Sequence, residues 1–329
     1  MQDRTFEALT KGGEIVSIPW EGMSWAYAII DRNNMWPPPA AASDLDKIGD
    51  LVRIKLDEEG DWELGQVPEV QGALVSMSPK NGAILALVGG YDFRQSQVNR
   101  VTTPRPPGSN FKPFLYGAAL ENGYSAASVI NDAPITRGSY RPNNYENNFL
   151  GPITLRYALK ESRNVPAVRL YDLIGSAKVL EFASKFGFQT QNFPTNDLTV
   201  ALGSQDVQPL ELVTGYSSIA NGGFKVNPWF IEKVTSELDG VLYQSDPSVI
   251  CENCDATDST TKIAPRIMDQ RVAYILNSML ESVITEGSGN RVYRELGRDD
   301  LRGKTGTTNG PQELLSLIHI SEPTRRTPI

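Results

Sequence analysis

A serine delivered by a tight turn to the head of an apolar helix constrains this chain more than any other feature. The stretch reads Pro107-Gly108-Ser109-Asn110-Phe111-Lys112-Pro113-Phe114. Gly108 allows close backbone approach. The run Phe114-Leu115-Tyr116-Gly117-Ala118-Ala119-Leu120 predicts a helix that can be buried on most of its sides. Pro113 suits its first turn, where amide donors have no intrahelical partner. Ser109 and Lys112 are three apart and share a helix face. A serine hydroxyl is a poor nucleophile until a base takes its proton. A desolvated lysine near another cation can be that base, because both effects lower its pKa. Ser109 and Lys112 are therefore a candidate nucleophile–base pair.

Composition narrows the function. The 329 residues have room for about two domains. A hydrophobic content of 40% supports a sizeable core. The net charge of −8 leaves no basic footprint for nucleic acid. No apolar run approaches the ~18 residues of a membrane span, and the Met1 end lacks a signal-peptide pattern. The single pair Cys251-x-x-Cys254 lacks the four ligands of a structural zinc site and reads as a local loop disulfide or two idle thiols. No metal or cofactor site is expected. His319 is the only histidine, which argues against a Ser–His–Asp triad and favours a lysine base.

Along the chain, residues 1–68 read as a small, mostly β unit. It holds Trp20, Trp25, Trp36 and Trp62, and the alternating Leu51-Val52-Arg53-Ile54-Lys55-Leu56 predicts a strand returning at Trp62-Glu63-Leu64. Its aromatics are expected in a core. After Pro68, Asn81-Gly82 between apolar runs predicts a hairpin of 73–77 with 83–88. The unbroken apolar second strand predicts a sheet covered on both faces. Residues 113–223 read as mainly helical. Pro152 suits the first turn of a helix over 153–159, Ser176 can cap another, and a third runs from about Pro209 to Ala220. Trp229 to Val234 and Val241 to Tyr243 predict strands around Asp239-Gly240. A long helix spans about Arg266 to Glu286, and a strand approaches Leu301 to Thr308. The order gives an α+β fold, a sheet flanked by helices with a helical subdomain inserted.

Two further motifs follow the serine. Ser162-Arg163-Asn164 places a hydroxyl and an amide at a helix junction, where capping alone is an ordinary use. Lys304-Thr305-Gly306-Thr307 follows a strand and can line a groove with a cation and hydroxyls suited to a carboxylate, although such a triplet is also an ordinary strand end. A second set, Ser259-x-x-Lys262, Ser288-Gly289-Asn290 and Lys304-Thr305-Gly306, occurs in the same order. Ser259 sits in a Thr/Asp/Ser cluster with no apolar run to fix it, and Ser288 leaves little room before Lys304 for a helical wall. The Ser109 set has rigid elements beneath it and is preferred.

Ser-x-x-Lys, Ser-x-Asn and Lys-Thr-Gly in this order are a known signature of penicillin-binding proteins and class A β-lactamases. The chain from about Pro68 to Asn309 resembles the transpeptidase domain of a bifunctional (class A) penicillin-binding protein. The likeness rests on Arg105 to Phe114, Ala201-Leu202-Gly203-Ser204, Ala220-Asn221-Gly222-Gly223 and Gly303 to Asn309. Residues 1–68 resemble part of the OB-like accessory domain of such proteins. The family's membrane anchor and glycosyltransferase domain have no counterpart here and are expected in a longer parent chain.

The resemblance implies a peptidoglycan D,D-transpeptidase at the periplasmic side of the inner membrane of a bacterial envelope. Ser109 would be acylated by a D-Ala-D-Ala stem peptide, with Lys112 as base, Ser162 as proton relay and Asn164 holding the peptide amide. Lys304, Thr305, Gly306 and Thr307 would bind the terminal carboxylate, and the amides of Ser109 and Thr307 would form the oxyanion hole. The amine of a neighbouring stem peptide would resolve the acyl-enzyme, β-lactams would be trapped on Ser109, and no cofactor would be needed. An envelope regulator could dock on residues 1–68. The alternatives are a serine β-lactamase or D,D-carboxypeptidase, which hand the acyl group to water, or a non-catalytic envelope docking fragment. No Glu-x-x-Leu-Asn, expected of a class A β-lactamase, lies between Ser162 and Lys304.

Two departures from the family stand out. Pro106 replaces a common Gln. Residues 69–312 read as a C-terminally truncated transpeptidase domain, and 313–329 as a non-native tail: Leu314 to Ile329 looks like translated sequencing-adapter read-through. That reading predicts missing strands and an unprotected edge on the Lys-Thr-Gly strand.

Overall fold

The computed structural model describes residues 4–27, 29–31, 34–45, 47–68, 70–250, 262–307 and 314–320. They form two units, Met1–Gln71 and Gly72–Ile329. In the first, β1 (Thr5–Leu9) pairs antiparallel with β2 (Ile15–Pro19), β3 (Ile29–Asp31) with β4 (Asn34–Met35), and β5 (Arg53–Leu56) with β6 (Trp62–Gly65). A small core of Val16, Ile18, Met23, Ala42 and Leu64 holds them, with Trp20 and Trp62 packed against it. Trp25 and Trp36 are exposed, so only two of the four tryptophans serve the expected core.

The second unit opens with the predicted hairpin, β7 (Leu74–Met77) and β8 (Ile84–Val88). The expected cover on both faces is absent among the described residues: Leu85 is 68% exposed and Val88 53%. An apolar run records what a strand offers, and long-range chain placement decides what covers it.

A 3-10 turn, Gly108–Phe111, then leads directly into α1 (Lys112–Glu121). Every residue of α1 from Lys112 to Leu120 is buried. It is enclosed by α2 (Leu155–Lys160), α3 (Asn164–Ile174), α4 (Ser176–Lys185) and α6 (Gln270–Thr285). Rings fill the space around its head, with Phe114 stacked edge-on to Phe188 at 4.7 Å and Phe186 at 5.2 Å.

β9 (Val129–Asp132) pairs with β10 (Gly151–Thr154). Pro152 lies in β10 rather than in a helix. Thr154 caps α2 instead, its hydroxyl accepting from the Tyr157 amide at 3.2 Å. Gly175, not Ser176, occupies the cap of α4. Helix α5 (Pro209–Ala220) has the expected bounds. β11 (Lys233–Ser236) pairs with β12 (Gly240–Gln244), so the first strand of this hairpin starts later than Trp229, whose contact is a parallel bridge to Ala83. After α6 come α7 (Asn290–Leu296), β13 (Leu301–Thr307) and β14 (Leu314–Ile320). Among the described residues no helix is long and apolar enough to cross a membrane.

The expected unprotected edge of the Lys-Thr-Gly strand is corrected by β14, which pairs antiparallel with all of β13, from Leu301↔Ile320 to Thr307↔Leu314. Its alternation explains the fit. Leu317 enters the core, with Leu315 packed on it, while Ser316 and Ile318 face out. Pairing an edge needs an extended backbone and the right alternation, and this segment has both.

His319 on β14 donates or accepts at 2.8 Å with Asn277, while its Nδ1 is shut from solvent without a partner among the described residues. Burial, then the charge of Arg302, push its pKa from 6.5 down to about 3. The native ring stays neutral while the unfolded chain protonates below pH 6.5, so stability falls as the pH drops through this window. Denaturant midpoints between pH 7 and about 5, above the carboxylate range, should fall more steeply for the unaltered chain than for His319→Gln, in which only the buried lysines still contribute to the slope.

Candidate active site

The serine turn is held by backbone contacts. The Gly108 amide donates to the Gly203 carbonyl at 3.0 Å, and the Lys112 amide to the Ser109 carbonyl. Gly108 has φ +55°, and a Cβ there would lie 2.8 Å from the Thr307 carbonyl oxygen on β13. Gly203 has φ +75°, and its Cβ would meet the Gly108 carbonyl oxygen at 2.1 Å. No other residue type fits such approaches. They explain locally why Gly203 accompanies the serine motif, and they seat Ser109, half-buried, beside the end of β13.

Lys112 is fully buried, and its Nζ donates to oxygens of one segment only. The partners are Ser162 O at 2.6 Å, Ser162 Oγ at 3.3 Å, Arg163 O at 3.3 Å and Asn164 Oδ1 at 2.8 Å. No hydrogen bond joins Lys112 to the Ser109 hydroxyl among the described residues. Lys304, 1% exposed, donates to the same Ser162 Oγ at 2.8 Å and to the Thr305 carbonyl at 2.9 Å. One hydroxyl therefore stands between two buried amines. Ser162 reaches this position with φ +55°, a left-handed conformation that costs a non-glycine residue roughly 1–3 kcal/mol.

Thr305 is half-buried, Gly306 buried and Thr307 exposed at the strand end. The eight predicted residues thus lie on the turn before α1, the α2–α3 junction and β13. Ser288, set aside from sequence, is also here: its hydroxyl lies 3.0 Å from that of Thr305. The rest of the second set does not gather. Lys262 is exposed, and Ser259, Cys251 and Cys254 lie outside the described residues, as do Thr308 and Asn309. Asp132 and Asn144, which hold the α2–α3 junction, carried no local motif and were invisible in the sequence.

Burial pushes the Lys112 ammonium well below its ordinary range, and the charges of Lys304 and Arg163 push it further, against Glu146. Burial alone brings Lys304 down to about 7. Both shifts run the same way, so one serine hydroxyl stands between two buried amines whose charged forms are disfavoured, behind an accessible serine.

Comparison with known proteins shows the family of the chain. Residues 72–313 match the penicillin-binding protein transpeptidase domain, and residues 1–70 the penicillin-binding protein OB-like domain. The chain belongs to the penicillin-binding protein transpeptidase family. It is similar to penicillin-binding protein 1A of Pseudomonas aeruginosa at 40% identity, with 93% of this chain and 42% of the relative aligned. For penicillin-binding protein 1A of Escherichia coli K12 the values are 34%, 93% and 43%. The crystal structure of penicillin-binding protein 1A from Haemophilus influenzae superposes with a TM-score of 0.79 at 31% identity, covering 92% of this chain and 47% of that one. The chain thus spans less than half the length of these relatives. Its fold is the transpeptidase fold with an OB-like domain before it in the chain.

Two outcomes are expected. Gly203→Ala forces the serine turn aside and lowers the rate of acylation by a penicillin about 10²-fold. In Lys304→Gln a cation that depresses Lys112 is gone, so the rising limb of the acylation pH profile moves to higher pH. A stopped-flow profile that stays in place would mean that Lys112 does not set it.

Proposed function

We propose that this chain carries out the acyl-transfer steps of peptidoglycan crosslinking. The carrying observation is the buried chain of hydrogen bonds Lys112–Ser162–Lys304 behind Ser109. In this reading neutral Lys112 takes the Ser109 proton as the oxygen attacks the penultimate D-alanine carbonyl of a stem peptide. Contact between base and nucleophile forms in the substrate complex, where catalytic hydrogen bonds tighten. The Ser109 and Thr307 amides hold the oxyanion, consistent with the packing of Gly108 on the Thr307 backbone.

The tetrahedral intermediate collapses with loss of D-alanine. Its amine receives a proton from Ser162, which is resupplied from the lysines on either side. Asn164 orients the peptide amide, and Lys304, Thr305 and Thr307 bind the terminal carboxylate, with Gly306 leaving room for the Asn110 side chain behind the strand. The amine of a second stem peptide then attacks the ester, forms the crosslink and frees Ser109. A β-lactam enters by the same first step and has no leaving group to depart. Family membership supports this substrate class and a site of action in the bacterial envelope, on the periplasmic side of the inner membrane. Membrane anchorage in a longer parent, an envelope regulator on residues 1–68, and a transpeptidase domain truncated near 312 and followed by a non-native tail belong to the same proposal.

Intact mass after incubation with a penicillin tests the reading. A stable adduct is expected in the unaltered chain and in Ser259→Ala, and none in Ser109→Ala. Steady turnover of nitrocefin would instead show a β-lactamase. A folded chain without an adduct would favour a docking fragment.

A further inference from the structure

The left-handed backbone of Ser162 turns both its carbonyl and its hydroxyl toward Lys112. Something must hold a non-glycine residue there. From one side α2 does so, with the Ser162 amide donating to Leu159 at 3.0 Å and the Arg163 amide to Ala158 at 2.9 Å. On the other side lies a polar network assembled from β9 and residues 143–150, with Asp132, Asn144 and Arg163 as its buried centre.

Arg163, the middle residue of Ser-x-Asn, points away from the site and is only 4% exposed. Its guanidinium pairs with fully buried Asp132 at 2.7 Å, with Glu146 at 2.9 Å and with both oxygens of Asn148, at 2.6 and 2.8 Å. Asn144 closes the circuit. Its Nδ2 donates to the second Asp132 oxygen at 2.8 Å, and its Oδ1 accepts the amides of Asn164 and Val165 at 2.9 and 3.1 Å. That carbonyl caps α3 from across the chain, where Arg163 offers no cap of its own. The Asn143 carbonyl holds the Asn164 side chain at 3.2 Å. Apart from the Asn144–Asp132 bond, each of these ends on residue 163, 164 or 165, immediately after the strained serine.

We propose that Asp132, Asn144 and Arg163 are positioning residues for the acyl transfer, holding Ser162 left-handed so that its oxygens face Lys112. This rests on the acyl-serine reading above. None of the three side chains touches the reacting atoms; only the Arg163 backbone carbonyl does, at 3.3 Å from the Lys112 Nζ. The charged groups whose fields reach Lys112 are Lys304, Arg163 and Glu146, so Arg163 also bears on the proton of Lys112 while Asp132 keeps the guanidinium in place.

The test compares Asn144→Ala, Arg163→Lys and Arg163→Met in the full chain. Asn144→Ala and both Arg163 variants should acylate with a penicillin about 10²-fold more slowly, the cost of a small displacement at a reacting site. Arg163→Lys keeps a cation and should leave the pH limb in place. Arg163→Met removes it and should move the limb to higher pH. A network that only stabilised the fold would lower the melting temperature of all three and leave acylation by the folded fraction unchanged, which would overturn the proposal. Crystal structures of Asn144→Ala and Arg163→Lys supply a readout that needs no acylation. Ser162 should leave the left-handed region and lose Lys112; an unmoved Ser162 in both would also overturn it. An unaltered chain that forms no adduct would sink the acyl-serine reading alone, since the crystallographic arm still decides this one.

Discussion

The physical constraint on which the second unit depends is the burial of an amine at the head of its most enclosed helix. Lys112 has no exposed surface, and α1 beyond it is wrapped by four other helices. A buried ammonium without partners is costly. The fold meets this by bringing four oxygens from 162–164 to Nζ and by placing Lys304 on the far side of the Ser162 hydroxyl. Those contacts tie α1, the α2–α3 junction and β13 into one object. The aromatic cluster around Phe114 supplies the rigid floor, and the Gly108–Gly203 contact fixes the turn above it.

Strain follows from the same requirement. Ser162 must present two oxygens to one amine, which a right-handed helical residue at that junction does not do. The conformational penalty is offset by the Arg163–Asp132 pair and by Asn144 capping α3. Buried ion pairs are poor sources of net stability but strict about geometry. Here the geometry fixed is that of the residue next door.

The strand pairing at β13 has another character. β14 contributes backbone partners, the Leu317 side chain in the core, and a carbonyl at Leu315 that accepts from Asn110 at 2.7 Å. Asn110 is adjacent to Ser109, so the strand beside the Lys-Thr-Gly motif also bears on the serine turn. Any segment of suitable alternation meets most of these demands, because a sheet edge recognises extended backbone before it recognises side chains.

The family, the helices α1 and α5 and the hairpin at Asn81-Gly82 were legible in the sequence, which also named the eight residues proposed for the site. All of these are local: a motif, a helical period and a turn signal are complete within a few residues. Tertiary structure decided the rest. It turned Pro152 into a strand residue, left β8 exposed where an apolar run had predicted cover, and gave β13 a partner. It brought Ser288 to Thr305, and it joined Asp132 to Arg163 across 31 residues of chain and Asn144 to Asn164 across 20. Above all it buried Lys112 while leaving Lys262 in solvent, although both stand in the same Ser-x-x-Lys pattern. Burial and the approach of other charges set a lysine's chemistry, and both come from residues far away in the chain.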